Sequence, residues 1–309
     1  MNHGDTFDAR QVRRAFSRAA PGYEAAAALQ REVEAQLLES LEFHAARHGD
    51  DTVPQRVLDL GSGTGRAATA MRGRWPKAHV LAMDLALPML REGRSRERWH
   101  PLRRRIDRVC ADARALPLAD GSIDVLFSNL CLQWVEDLPA VFAGFRRVLR
   151  PGGMLLVSTF GPDTLYELRD AFAAADAEAP HVSPFASIAT FGDALMHAGF
   201  RDPVLDRDNV VNRYPDLPAL MRELRALGAT NALRGRRHTL TGKSRFARAA
   251  EHYAREHGDA QGLPATWEII TAMAWAPPAG APIRERDAEI ASFPANRIPI
   301  RRRGNAPSG

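Results

Sequence analysis

Between residues 7 and 48, apolar side chains return every three to four positions, at Phe16, Tyr23, Leu29, Val33, Leu37, Leu38 and Leu41, and Pro21-Gly22 interrupts the run. That spacing predicts two helices around a turn. From residue 56 the period changes. Short apolar runs at 56–60, 79–84, 108–111, 123–129 and 153–159 alternate with helical stretches at 65–72, 88–98 and 138–149. Connections of that length are the crossover helices that parallel strands require, so the middle of the chain reads as a doubly wound α/β sheet. After Phe160 the alternation fades: 165–175, 191–198 and 217–227 read as helices, and the apolar stretch 266–275 as a late edge strand. Neither an internal repeat nor a second core is visible. Residues 1–50 are therefore expected to form an N-terminal helical lid, 51–160 a ligand-binding core, and 161–276 cap helices with the last strands of the same domain. Residues 277–309, rich in Pro and Arg, are expected to be disordered.

The 309 residues, 45% apolar and 26% charged, suffice for one α/β core with a subdomain attached. No apolar run reaches the roughly 18 residues of a membrane span, and residues 1–10 lack a basic-then-apolar leader. The expectation is a cytoplasmic protein with no membrane contact. Cys110 and Cys131 are too few for a disulfide framework and lack the CxxC spacing of a metal knuckle, so both are expected to be reduced and buried, with no metal site.

The net charge of +5 is unevenly placed. Arg91, Arg94, Arg96, Arg98, Arg103, Arg104, Arg105 and Arg108 face only Glu92, Glu97 and Asp107 within one stretch. A second group is Arg234, Arg236, Arg237 and His238, and Arg301-Arg302-Arg303 lies near the end. Such patches attract an acidic partner, although an Arg-rich solvated surface would read the same way. No aromatic residues alternate with the basic ones, which argues against a single-stranded nucleic acid.

Asp59-Leu60-Gly61-Ser62-Gly63-Thr64-Gly65 closes the first predicted strand and opens a helix. Glycines there let the backbone approach a ligand and supply the unusual φ values of the turn. A glycine turn alone is a weak signal, shared by many nucleotide binders. Here no Lys-Ser or Lys-Thr follows, which excludes a P-loop, and Asp59 before the turn suits a ligand's ammonium group better than a pyrophosphate. The second strand ends in Asp84, where a carboxylate can take both hydroxyls of a ribose. The third ends in Cys110-Ala111-Asp112-Ala113, where an adenine edge can be read. The fourth runs through Asn129 into Leu132-Gln133-Trp134-Val135, and the fifth follows Leu149-Arg150-Pro151-Gly152-Gly153.

This ordered series resembles the class I S-adenosylmethionine-dependent methyltransferases over roughly residues 56–160. The resemblance implies a Rossmann-like doubly wound, seven-stranded sheet with S-adenosylmethionine as cofactor. It also implies that Asp59 and the Gly61, Ser62, Gly63 and Gly65 turn hold the methionine end. Asp84 and Leu85 would take the ribose, Asp112 and Ala113 would border the adenine, and Asn129 would complete the site.

The fold does not name the acceptor, so the flanks must. Phe16-Ser17-Arg18-Ala19-Ala20-Pro21-Gly22-Tyr23, Leu165-Tyr166-Glu167-Leu168-Arg169, His181-Val182-Ser183-Pro184-Phe185 and Leu220-Met221-Arg222-Glu223-Leu224 occur in order, followed by Leu227-Gly228-Ala229-Thr230-Asn231 and Leu240-Thr241-Gly242. Together they resemble the biotin-pathway enzymes that methylate the malonyl group on acyl carrier protein, over nearly the whole chain to about Trp275. The stretch 91–105 and the tail after Ala276 depart from that pattern. The resemblance implies a malonyl-acyl carrier protein, or malonyl-coenzyme A, as acceptor, with the Arg-rich surface facing the acidic carrier. A malonyl carboxylate is already anionic and needs desolvation and placement rather than a strong base. Candidates to recognise it are Tyr23, with Arg222 or Arg169 as anchor and His181 as a further donor. Two rival readings stand beside this one. Phe160-Gly161-Pro162-Asp163-Thr164-Leu165-Tyr166-Glu167-Leu168 and the 181–185 segment also resemble a complex I assembly factor that modifies protein arginine. A non-catalytic scaffold of the same fold would have no need to keep Asp59, Asp84 and Asp112. Base methylation of nucleic acid is disfavoured, because no motif that would hold a flipped base follows the fourth strand.

Overall fold

The computed structural model describes residues 6–49, 52–97, 104–237, 239, 241–280, 283–285 and 288–290. Asp8 opens the first helix, α1 (Ala9–Ala19), by accepting from the Arg10 and Gln11 amides, both at 3.1 Å. The expected pair of N-terminal helices is further divided: α2 (Tyr23–Ala26), α3 (Ala28–Glu39) and α4 (Glu42–His48) follow, with Ala27 at the non-helical angles φ −82° and ψ 46°. Then come β1 (Arg56–Leu60), α5 (Arg66–Arg74), β2 (His79–Asp84), α6 (Leu87–Arg96), β3 (Asp107–Cys110), β4 (Ile123–Ser128), a 3₁₀ turn at Leu132–Trp134, α7 (Leu138–Val148) and β5 (Leu149–Phe160). The later elements are α8 (Tyr166–Ala175), α9 (Ile188–His197), β6 (Arg201–Tyr214), α10 (Leu217–Ala226), α11 (Lys243–Glu256) and β7 (Leu263–Trp275). A separate antiparallel pair, β8 (Ile283–Glu285) with β9 (Ala288–Ile290), lies where no order was expected.

The sheet order is β3-β2-β1-β4-β5-β7-β6. Strands β1 to β5 pair in parallel, and β7 runs antiparallel to both β5 and β6. The late strand is therefore not at the edge. The edge is β6, which the sequence pattern does not show. Asp202, Asp206, Arg207, Asp208 and Arg213 break up its apolar signal, because an edge strand covered on one face tolerates charge on the other. Helix α11 is hidden for a similar reason, since it buries only Ala249 and Tyr253.

One face of the sheet packs Phe142, Phe145 and Val148 of α7 and Phe191 and Leu195 of α9 against Leu58, Leu126 and Leu155. The other packs Leu37, Leu41, Met71 and Trp75 against Val57, Val80 and Phe127. The cap has a buried cluster of its own, in which Leu168, Phe172, Leu220, Leu224 and Tyr253 close on Trp267 and Ile269 of β7, so it remains built on the same sheet. The order in which strands are added to the sheet reverses between the parallel neighbours β1 and β4. Their C-terminal ends thus bound the crevice in which open α/β sheets bind ligands. No helix among the described residues is long and apolar enough to cross a membrane. Of the basic residues singled out above, Arg98, Arg103, His238 and Arg301 to Arg303 lie outside the described residues.

Candidate active site

Three glycines after β1 adopt left-handed angles, with φ of +69° at Gly61, +53° at Gly63 and +80° at Gly65. A Cβ on Gly61 would lie 2.5 Å from the Cys131 sulfur, so both conformation and space require glycine there. The turn is tied to β2. Gly61 and Ser62 donate to the Met83 carbonyl at 2.8 and 3.0 Å, and Gly63 donates to Asp84 Oδ2 at 2.8 Å. Asp84 Oδ1 accepts from the Ala86 amide at 2.7 Å, leaving each carboxylate oxygen a further lone pair. Asp59 Oδ2 accepts from Ala68 at 2.9 Å and so joins β1 to the first turn of α5.

Above this floor lies a hollow of about 100 Å³, lined by Gly61, Gly63, Asp84, Leu85, Asp112, Ala113 and Asn129 among others. A second, of about 40 Å³, shares Gly61, Gly63 and Asn129 with it and adds Gln30, Glu34, Asp59 and Ser62. Every cofactor residue expected from sequence lines one or the other except Gly65. That glycine instead caps α5 and donates to the Ser62 carbonyl at 2.8 Å. Asn129 is fixed from two sides, donating to the Gln30 carbonyl at 3.0 Å and accepting from the Ser158 hydroxyl at 2.8 Å. The Arg114 guanidinium holds the Asp112 carboxyl below its ordinary range, donating from Nε at 2.9 Å.

The smaller hollow is rich in carboxylates. Burial raises Asp59 well above its usual value and pushes Glu34 up to about 7, against the opposing pull of Arg66, whose Nε is 3.4 Å from Glu34 Oε1. The Ser62 hydroxyl, Gln30 Oε1 and Trp134 Nε1 are buried without a hydrogen-bond partner. Unpaired buried polar atoms are costly, so these mark places for a ligand. A ligand with a cationic end, hydroxyls and a flat polar ring fits this donor set.

A larger chamber of about 410 Å³ lies under the cap, with Phe160, Leu168, Phe172, Leu224 and Trp267 as apolar wall and Gln133, His181, Thr230, Arg225, Arg236 and Arg237 as polar rim. Gln133 Oε1, Thr230 Oγ1 and Trp267 Nε1 are also buried without partners. Among the described residues, Tyr23 alone lines this chamber and both smaller hollows. Burial, reinforced by the nearby Asp84, Glu24 and Glu34, raises its hydroxyl above the ordinary tyrosine value, so Tyr23 is a neutral donor at physiological pH.

Of the expected acceptor residues, the structure brings Tyr23 and His181 to the chamber. His181 stacks on Phe172, with ring centroids 4.2 Å apart, and its Nε2 is 3.1 Å from Asp176 Oδ2. Arg237 Nη2 donates to Asp176 Oδ1 at 2.7 Å, which with His181 holds that carboxyl well below its ordinary value. Arg169 and Arg222 do not line the chamber. Leu168 and Phe172 take the chamber side of α8, and Arg169 instead donates to the carbonyls of Pro162 at 2.7 Å and Thr164 at 3.1 Å. Arg222 lines an outer groove of about 570 Å³ between α1 and α10, while its neighbour Arg225 lines both groove and chamber. The sequence reading missed Gln30, Glu34, Gln133 and Arg225. Gln30 and Glu34 stand one helical turn apart on α3 beside the buried Leu29 and Val33, a signal that helical spacing does carry. Neither cysteine is fully buried as expected: Cys131 is half-buried at the glycine turn, where burial of its thiol pushes it up to about 12, and Cys110 is exposed.

The strand order, the glycine turn after β1 and the acid at the end of β2 define a methyltransferase of the class I, S-adenosylmethionine-dependent kind. A family model described as a methyltransferase domain matches residues 58–157. Solved structures agree on the fold: one from Bacillus halodurans superposes with a TM-score of 0.55 at 18% identity, over 78% of this chain and 98% of that one. The YcgJ protein of Bacillus subtilis gives a TM-score of 0.54 at 14% identity, again over 78% and 98% of the two chains. Among curated relatives, the malonyl-[acyl-carrier protein] O-methyltransferase of Xylella fastidiosa is 57% identical over 97% of this chain and 99% of its own. The protein of the same name from Gallionella capsiferriformans is 43% identical over 91% and 94%. The chain belongs to the malonyl-[acyl-carrier protein] O-methyltransferase family.

Proposed function

We propose that this chain transfers a methyl group from S-adenosylmethionine to the free carboxylate of a malonyl group carried by an acyl carrier protein or coenzyme A, giving the methyl ester that primes pimeloyl synthesis for biotin. The names of the relatives support the acceptor. The observation that carries the mechanism is the place of Tyr23 in the wall common to the chamber and both hollows.

In this reading the methionine end lies in the acidic hollow at Asp59, Glu34, Ser62 and Gly63, the ribose at Asp84, and the adenine along Leu85, Asp112 and Ala113. Helices α1 to α3 act as a lid. The bound cofactor supplies a methyl group on a positively charged sulfur. The chain supplies placement. The neutral Tyr23 hydroxyl donates to one oxygen of the malonyl carboxylate and leaves the other free to attack, while His181 and the unpaired Gln133 side chain orient the acyl end from the chamber. Phe160, Phe172 and Trp267 exclude water, so the anion meets its methyl donor partly desolvated. A carboxylate is already anionic and needs no general base. The acidic surface of a carrier protein suits the positive face of the chain.

The test is Tyr23→Phe. Losing one hydrogen bond to a charged group is expected to lower kcat/KM for the malonyl substrate about 10- to 100-fold, while the dissociation constant for S-adenosylmethionine stays within about twofold, as that of a residue with no bond to the cofactor should. Equal losses in turnover and cofactor affinity would overturn the assignment.

A further inference from the structure

The Arg-dense stretch between residues 91 and 108 is the obvious place to seek an acidic partner, but part of it is already engaged internally. Arg96 pairs with Glu92 at 2.9 Å and Arg108 with Glu97 at 2.6 Å, and Arg104 is bonded to His79. In the other cluster, Arg236 pairs with Asp8 at 3.1 Å and Arg237 with Asp176 and Glu178 at 2.7 and 2.9 Å. Uncompensated positive charge lies elsewhere. Helix α1, with sequence ARQVRRAFSRA, holds four arginines and no acid. Its Arg18 lines the outer groove together with Arg222 and Arg225 of α10. All three are exposed, and none meets a carboxylate among the described residues. Three exposed guanidinium groups lining one groove without an anion suit a phosphate, because the arginine fork matches phosphate oxygens in geometry as well as charge.

The groove also leads somewhere. Arg225 and Thr230 line both it and the chamber, and Thr230 Oγ1 is buried without a partner at that passage. A carried malonyl group hangs from a long pantetheine arm that ends in a phosphodiester on the carrier, so the acyl end and the phosphate must bind at separate places joined by a channel. We propose that the groove between α1 and α10 seats the phosphodiester of that arm on Arg18, Arg222 and Arg225, and that the arm passes Thr230 to deliver the malonyl carboxylate to Tyr23. This rests on the carboxyl-methylation reading above.

The test compares malonyl-acyl carrier protein, malonyl-coenzyme A and malonyl-N-acetylcysteamine, which keeps the thioester but lacks the phosphate, on the full-length wild type and on Arg18→Gln/Arg222→Gln/Arg225→Gln. The ratio of kcat/KM for either phosphate-bearing substrate to that for the short thioester is expected to fall about tenfold or more in the variant, through KM. A ratio that does not change, or one that falls for the carrier but not for coenzyme A, overturns the proposal. In parallel, holo- and apo-carrier proteins are titrated by fluorescence anisotropy. The variant should lose affinity for the holo form, which has the arm, and not for the apo form. Loss for both forms would place the arginines on the carrier's own surface and would also overturn it. Should no malonyl thioester be methylated, the carboxyl-methylation reading fails, whereas the binding measurement still decides the phosphate site.

Discussion

The carboxylate of Asp84 accepts a hydrogen bond from the Gly63 amide at 2.8 Å, so the acid closing β2 is also what holds the glycine turn after β1 in shape. Cofactor recognition and local folding share one side chain. Asp84→Ala should therefore weaken S-adenosylmethionine binding about 10- to 100-fold and also lower the unfolding midpoint. Asp84→Asn, which keeps one acceptor oxygen, should recover part of the stability. Calorimetric titration and thermal unfolding on both variants read the two effects, and a variant that loses affinity at unchanged stability would contradict the shared role.

Gly61→Ala meets two obstacles. The +69° φ disfavours any side chain, and the new methyl would press on Cys131. Strain and overpacking of this kind together cost about 2 to 4 kcal/mol. Pairing the change with Cys131→Gly should relieve the contact but not the backbone strain, so denaturant unfolding should show partial recovery. Full recovery would mean that the left-handed angle carries no cost.

Burial lifts Glu34 to about 7, so near neutral pH it is partly protonated in the free chain. A cationic ligand end beside it favours the ionised form. Cofactor binding should then release a proton, and affinity should rise as pH increases through about 7. Titrations in buffers with different ionisation heats measure the proton, and Glu34→Gln should abolish its release. Proton uptake, or release that survives the substitution, would place the ammonium elsewhere.

His44 is 2% exposed and packs 6.0 Å from Trp75 and 4.8 Å from His48, ring to ring. Burial, then the charge of His48, lowers it from 6.5 to about 4. The folded chain thus refuses a proton that the unfolded chain accepts. Its contribution is complete above pH 6.5 and is lost as pH falls towards 4, by about 3 kcal/mol, with no further loss from this group below that. Urea unfolding between those limits checks the sign, and His44→Phe should flatten the dependence. An equal slope in wild type and variant would assign the acid sensitivity to other groups.

What the sequence revealed and what it hid divide along physical lines. Strands buried on both faces, such as the inner part of β5 from Met154 to Val157, leave continuous apolar runs, and the glycine turn leaves its mark because backbone angles constrain residue type directly. The edge strand β6 leaves no such run, and a one-sided helix such as α11 leaves only a sparse one. That Tyr23 and His181 line one chamber accords with the motifs that carry the resemblance. The choice between Arg169 and Arg222 was not legible, since spacing does not say which face of α8 or α10 meets the chamber, and packing turns both away from it. Nor does a count of arginines in 91–108 reveal that Glu92 and Glu97 already engage part of them.

The central claim is transfer of one methyl group to the malonyl carboxylate. Intact-mass measurement after incubation with S-adenosylmethionine and equal amounts of malonyl- and acetyl-acyl carrier protein tests it directly. The account predicts a gain of one methylene mass on the malonyl carrier alone, removable by mild alkaline ester hydrolysis. No gain, or an equal gain on the acetyl carrier, would contradict it.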